Sequence, residues 1–252
     1  MGMTIVVGAG RGIGRAVAEE LVRGNPKQPI LLADINGELV NHLAKILSAD
    51  GIAATSMVVD VADPKSVEAL VAVSRSADRV AIAAGIFRAS PAIETPVEEF
   101  ENVLRVNTIG CFHVAQQYAA SMAETGGGSI VAVASIAARM PRMRQAAYSA
   151  SKAGLRQGLR VLAMEVAGQG VRINTVSPGP TDTEMMQQLQ SDHSSVQDLA
   201  YGSLEAMRPR IPTGRVASAA DVAAAVAFLL SPASRHLVMA DLVVDGGELL
   251  GM

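Results

Sequence analysis

The chain of 252 residues contains no tryptophan, three tyrosines and four phenylalanines, an aromatic content of 3%. Its core must therefore be built from Ala, Val, Leu, Ile and Met. There is a single cysteine, Cys111, which excludes an internal disulfide and fits a reducing, cytoplasmic location. The four histidines, His42, His113, His193 and His236, are scattered. No two of them share metal-ligand spacing on one element, so no metal is expected. Excess basic charge is also lacking. The net charge of −3 argues against nucleic acid or a membrane surface bound through bulk charge. No apolar run reaches membrane-spanning length. No basic region followed by an apolar one precedes "MTIVVGAG", so no signal peptide is expected. Internal repeats, Gly/Ser linkers and low-complexity tracts are absent as well.

What is present is alternation. Half of the residues are hydrophobic and 18% are charged, a globular balance. The runs "TIVVGA", "PILLAD", "ATSMVV", "VAIAAG", "SIVAVAS", "RINTVS" and "DLVVD" are short, apolar and bounded by turn residues, as buried parallel strands are. Helical patterns fall between them at about 13–23, 36–49, 64–75, 97–124, 146–168 and 219–230. Strand and helix in steady alternation predict an α/β fold: one doubly wound, Rossmann-like parallel sheet with helices on both faces. The length suits a single domain over 1–252. One segment breaks the rhythm. Residues 181–214 are polar, dotted with Met and without a strand pattern. A connection of that length directly after a strand end is expected to be a lid with one or two short helices.

Two ends of the sheet carry chemistry. In "VVGAGRGIGRAVAEEL", Gly8, Gly10, Gly12 and Gly14 crowd the first strand-to-helix turn. Glycines there let the backbone approach a pyrophosphate, and the free N–H groups of the next helix face the anion. Asp34 ends the second strand, 20 residues after Gly14. A carboxylate there accepts from ribose hydroxyls and repels a 2′-phosphate, which favours NAD. Arg11 pulls the other way, but Asp34 sits against the ribose itself. Asp34 is also a candidate N-cap for the next helix. Asp60 ends the third strand, either at the adenine edge or as plain turn chemistry.

At the other end, "AAYSASKAGLRQ" places Tyr148 and Lys152 four apart, on one face of a helix. An ammonium beside a phenol favours the phenolate, and a phenolate can take a proton from a hydroxyl. Taken alone, the pair also fits a solvated helix face. Ser135 ends "SIVAVAS", Asn107 lies as a polar residue within an apolar helix, and "SPG" at 177–179 makes a tight turn after a strand.

In order and spacing, the glycine turn, Asp60, Asn107, Ser135, Tyr148, Lys152, the Pro-Gly turn and "VVDGG" resemble the short-chain dehydrogenase/reductase family over essentially the whole chain. The resemblance implies that Tyr148 is the general base. Lys152 then assists it and holds the cofactor ribose, Ser135 bonds the substrate oxygen, and Asn107 completes a proton relay. It implies cofactor contacts from Gly8, Gly10, Arg11, Gly12, Ile13, Gly14, Asp34, Asp60, Val61, Ala84, Gly85, Tyr148, Lys152, Pro178, Gly179, Thr181 and Thr183. It also implies a homotetramer. Two departures stand out. Val7 replaces a usual Thr, and "IAAG" at 82–85 lacks the Asn that braces the glycine turn in the family.

Within the family, "AAGIFR", "SIAARMPRMRQAAYSASKAGL", "VSPGPTDTEM", "IPTGR" and "DLVVDGGELLG" are similar to the aromatising dihydrodiol dehydrogenases of catechol siderophore synthesis. That similarity implies an NAD-dependent oxidation of a ring hydroxyl on a cyclohexadiene carboxylic acid. The substrate carboxylate needs a cation, and Arg88 and Arg142 are the candidates, with Arg139 and Arg144 behind them. Met185, Met186 and Met207 are candidates to line an apolar ring pocket. A generic alcohol dehydrogenase or 3-oxoacyl carrier-protein reductase is the alternative, although the latter prefers NADPH. A catalytically silent nucleotide sensor is a third, opposed by the intact Asn107, Ser135, Tyr148 and Lys152.

Overall fold

The computed structural model describes residues 2–187 and 196–251. Residues 188–195 of the expected lid, and with them His193, lie outside the described residues. In chain order the elements are β1 (Met3–Val7), α1 (Gly12–Gly24), β2 (Ile30–Asp34), α2 (Gly37–Ala49), β3 (Ala54–Val58), α3 (Pro64–Val73) and β4 (Ala77–Ile82). There follow α4 (Val97–Leu104), a π-helical turn (Arg105–Gly110), α5 (Cys111–Thr125), β5 (Gly128–Val133), α6 (Ala146–Val166) and β6 (Val171–Pro178). The chain ends with β7 (Thr181–Asp182), α7 (Glu184–Gln187), β8 (Ala217–Ser218), α8 (Ala219–Leu230) and β9 (Asp241–Val244).

Seven strands form one parallel sheet in the order β3-β2-β1-β4-β5-β6-β9. Alternate side chains of each strand point to opposite faces, and two cores result. Ile5, Val7, Leu31, Val80 and Ile82 pack with α3, α5 and α6 on one face. Val6, Ile30, Leu32, Ala81 and Val131 pack with α1, α2 and α8 on the other. Strand order reverses between β1 and β4, and ligands of such sheets bind in the crevice outside the strands' carboxyl ends at that point.

Two expectations need correction. The helix expected over 97–124 is interrupted by the π-turn, which lets the buried Asn107 turn inward. Gly110 is required in that turn, since a Cβ there would stand 2.5 Å from the Val61 carbonyl oxygen. The 181–214 segment also does contain a strand. Thr181–Asp182 pairs in parallel with Ala217–Ser218 and returns the segment to the main body. With Val216 beyond it, the segment forms a small core of its own, with Val196, Ala200 and Ile211 buried and Met186 and Leu199 against them.

Candidate active site

A cleft of about 460 Å³ opens at the carboxyl edge of the sheet, between the glycine turn and the 181–214 segment. Its size is that of a small-molecule site.

The glycine turn forms one end. Gly8 has φ +83° and Gly12 φ +53°, both in the region glycine tolerates. The packing is tight enough to exclude any side chain. A Cβ on Gly14 would fall 1.9 Å from the Gly8 carbonyl oxygen, and one on Gly8 would fall 2.5 Å from the Ala84 nitrogen. The turn is held from β2. Gly8 and Ala9 N–H donate to the Ala33 carbonyl at 2.8 and 3.1 Å, and Gly10 N–H donates to Asp34 Oδ2 at 2.8 Å. No side chain caps α1, so its first N–H groups remain available to an anion.

Asp34 is fixed at both oxygens, with Oδ1 accepting from Asn36 N–H at 2.9 Å. It is not the N-cap of α2. Asn36 takes that role, accepting from Leu39 N–H at 3.1 Å. Asp60 lies two residues past β3 and accepts from Ala62 N–H at 2.8 Å, a turn contact, while still lining the cleft. Arg11, Gly12, Ile13, Val61, Ala84, Gly85, Pro178, Gly179, Thr181 and Thr183 line it too.

The other end is built on β5 and α6. Ser135 follows β5 and is 9% exposed, and its Oγ accepts from Ala137 N–H at 3.1 Å. Lys152 is buried, and its Nζ donates to the Val133 carbonyl at 2.9 Å. The ammonium lies 5.9 Å from the centre of the Tyr148 ring. The Phe87 ring packs on Tyr148 with centroids 4.7 Å apart. Small residues let these parts meet: a Cβ on Gly154 of α6 would stand 3.2 Å from Thr108 Cγ2 and one on Gly158 3.3 Å from the Phe112 ring, tighter than ordinary contact.

Asn107 clamps the loop after β4. Its Nδ2 donates to the Ile86 carbonyl (2.9 Å) and to Ser151 Oγ (3.0 Å), and its Oδ1 accepts from Ile86 N–H (2.8 Å). The arrangement brings Ser135, Tyr148 and Lys152 to one wall, with Asn107 directly behind it. A phenol held there beside an ammonium can exchange a proton with a ligand hydroxyl.

The arginine candidates separate. Arg142 lines the cleft, with its side chain 6% exposed and Nη2 2.7 Å from Glu248 Oε1. Arg88 does not line it. Its side chain is exposed, and its Nη1 donates to the carbonyl of Phe87, its neighbour, at 2.8 Å. Arg139 is engaged with Asp241 at 2.8 Å, at the sheet edge. Arg144 is exposed, with φ +65°. Met185 and Met186 line the cleft, whereas Met207 is 81% exposed and does not. Phe87, Gln145, Leu199, Arg208 and the buried Glu248 were not anticipated. The "MRPR" and "GGELL" stretches that hold the last two carry no spacing that links them to Tyr148.

A family model described as enoyl-(acyl carrier protein) reductase matches residues 8–248. The 2,3-dihydro-2,3-dihydroxybenzoate dehydrogenase of Bacillus subtilis is 34% identical, over 99% of this chain and 97% of that protein. The chain belongs to the short-chain dehydrogenase/reductase family. This short-chain dehydrogenase is also similar to the vibriobactin-specific 2,3-dihydro-2,3-dihydroxybenzoate dehydrogenase of Vibrio cholerae, at 36% identity over 98% of this chain and 95% of that one. D-threitol dehydrogenase of Mycolicibacterium smegmatis is 38% identical, over 97% and 92% of the two chains. Among solved structures, 7α-hydroxysteroid dehydrogenase complexed with NADH and 7-oxo glycochenodeoxycholic acid has a TM-score of 0.87 at 25% identity, covering 98% and 94%. A short-chain type dehydrogenase/reductase from Mycobacterium marinum has a TM-score of 0.86 at 28% identity, covering 98% and 95%. The fold and the oxidoreductase class of the short-chain dehydrogenase follow from these likenesses.

Proposed function

We propose that the protein is an NAD-dependent dehydrogenase that oxidises a ring hydroxyl of a cyclohexadiene carboxylic acid. The reaction is 2,3-dihydro-2,3-dihydroxybenzoate to 2,3-dihydroxybenzoate, a step of siderophore synthesis. The observation that carries this reading is Arg142, a buried cation in the wall of the same cleft as Tyr148, which Ile86, Phe87 and Met185 also line. That wall suits a flat ring bearing one carboxylate.

The residues present fit a dinucleotide. Gly8 and Gly14 leave no room for side chains at the turn, and the start of α1 offers uncapped N–H groups to a pyrophosphate. Asp34, already held by Gly10 and Asn36, presents its charge at the ribose position and disfavours a 2′-phosphate. Thr181, Thr183 and the Pro178–Gly179 turn line the space left for the nicotinamide. When bound, NAD supplies the hydride acceptor.

In this reading Tyr148 accepts the proton of the ring hydroxyl and Ser135 donates a hydrogen bond to the same oxygen. Lys152, whose ammonium lies 5.9 Å from the centre of the Tyr148 ring, would hold the cofactor ribose. Asn107 holds the Ile86 backbone against the site. The ketone formed tautomerises to an aromatic ring, which drives the oxidation forward. The 181–214 segment acts as a lid on one single domain, with Met185 against the ring. The apolar side chains of Ile109, Val161 and Met164, 64, 44 and 64% exposed, support assembly as a homotetramer. Light scattering checks this, and a monomer refutes it.

A second reading, a dehydrogenase of neutral polyols, is favoured by the 38% identity to D-threitol dehydrogenase. Replacing Arg142 separates the two. Arg142→Met raises KM for the acid by ten-fold or more and leaves KM for D-threitol within two-fold if the first reading holds. Equal effects on both favour the second.

A further inference from the structure

The cleft carries a charged cluster that proton transfer from a hydroxyl does not use. Glu248, in the turn after β9, is fully buried. Its Oε1 lies 2.7 Å from Arg142 Nη2 and accepts from Arg208 Nε at 3.1 Å, whereas its Oε2 has no hydrogen-bond partner. Arg142 comes from the loop before α6 and Arg208 from the 181–214 segment, so three distant stretches meet at one carboxylate. Both residues line the cleft, with the Arg142 Nη atoms buried behind its wall. The other nearby acid, Asp245, is occupied by the backbone N–H groups of Gly247 and Leu249 at 2.8 and 2.7 Å.

The donors outnumber their acceptors. Each guanidinium offers five N–H bonds, yet Arg142 Nη1 and Nη2 find no aligned acceptor although both are buried. Burial draws the Arg142 guanidinium below its usual range, Glu248 opposes this, and Arg208 adds to it. Two cations crowded on one buried carboxylate, with donors unused, are costly unless a second anion completes them. A planar carboxylate is the ligand that matches a guanidinium fork.

We infer that Arg208 and Arg142 form a two-armed clamp for the carboxylate of the ligand, with Glu248 behind them holding both guanidinium groups. The inference rests on the acid-substrate reading and adds Arg208 to it. Because Arg208 sits on the 181–214 segment, an acidic ligand ties that segment to the site and a neutral ring does not.

The test is calorimetric binding of 2,3-dihydroxybenzoate and of catechol to the NADH-loaded protein. The two ligands share a ring and hydroxyls and differ in the carboxylate. The wild type is expected to prefer the acid at least ten-fold. Arg208→Met lowers that preference at least five-fold, and Arg208→Lys, which keeps the charge without the fork, recovers part of it. Catechol binding by each variant reports that the pocket is folded. Arg142→Met, which strips the buried Glu248 of its nearer cation, is measured alongside. If the wild type shows no preference, both the acid reading and the clamp fall. If it prefers the acid and Arg208→Met keeps that preference, the clamp alone falls. Loss of preference in Arg142→Met only makes Arg142 the single anchor and overturns the two-armed arrangement.

Discussion

Asp34 and Tyr148 stand at opposite ends of one cleft, which makes the role proposed for each testable alone. Asp34 holds Gly10 through one oxygen and Asn36 through the other. Asp34→Asn keeps an acceptor for Gly10 N–H and removes the charge. The ratio of kcat/KM for NAD over NADP should therefore fall at least ten-fold, about 1.4 kcal/mol. Initial rates with both cofactors check this, and an unchanged ratio would mean that another group selects the cofactor. At the reacting end, Tyr148→Phe keeps the ring contact with Phe87 and removes only the hydroxyl. Loss of a general base should lower kcat by about 10²–10⁴. Cofactor binding, followed by NADH fluorescence, should stay within a few-fold. At this scale, residues on local motifs were legible in sequence: the glycines, Asp34, and Tyr148 one turn from Lys152. Arg208 and Glu248 were not, because their meeting is a contact across 40 residues with no periodic signal. Arg88 falls outside the cleft lining because a position after a strand does not say which way a side chain turns.

The π-turn between α4 and α5 is the element on which the site depends. It brings Asn107 inward to satisfy both the N–H and the carbonyl of Ile86. Asn107→Ala leaves those backbone groups and Ser151 Oγ without this partner, at about 1–3 kcal/mol for each buried group left unsatisfied. Urea unfolding should show a loss of about 2–4 kcal/mol, with kcat reduced as the Ile86 loop loosens. Sequence alone showed one long helix here with a polar residue inside it. A π-turn adds one residue to a helical period, which hydrophobic spacing hardly registers. The strands were legible because each is a short apolar run between turn residues. The two-residue strand Thr181–Asp182 was not, being too short to show alternation. A second junction, between β9 and α6, centres on Asp241. Burial pushes its carboxyl up, but hydrogen bonds from Ser177, Arg139 and Thr175 outweigh this and hold it below its ordinary value of 3.8. Its stabilisation is therefore complete above pH 3.8 and is lost as pH falls through the depressed value. Asp241→Asn should melt lower than wild type near pH 7, and the gap should narrow in acid. A gap that stays constant with pH would mean that the charge is not what matters.

For the whole molecule, the sheet explains why these parts can cooperate. Parallel strands bring the glycine turn, Ser135, the Pro178–Gly179 turn and the Asp245–Glu248 turn to one edge, although they are spread along the entire chain. The doubly wound class was legible from alternation because few topologies satisfy short right-handed crossovers. The substrate was less legible, since one fold serves many chemistries and the wall proposed to discriminate is assembled from three separate stretches. The central claim is that this edge oxidises a ring acid with NAD through Tyr148. The most direct measurement is NADH formation from trans-2,3-dihydro-2,3-dihydroxybenzoate by the wild type and by Tyr148→Phe, with NADP in parallel. The account predicts turnover with NAD, at least ten-fold less with NADP, and near loss in the variant, with 2,3-dihydroxybenzoate as the product. Absence of turnover of this acid with either cofactor, alongside activity on neutral alcohols or ketones, would contradict it.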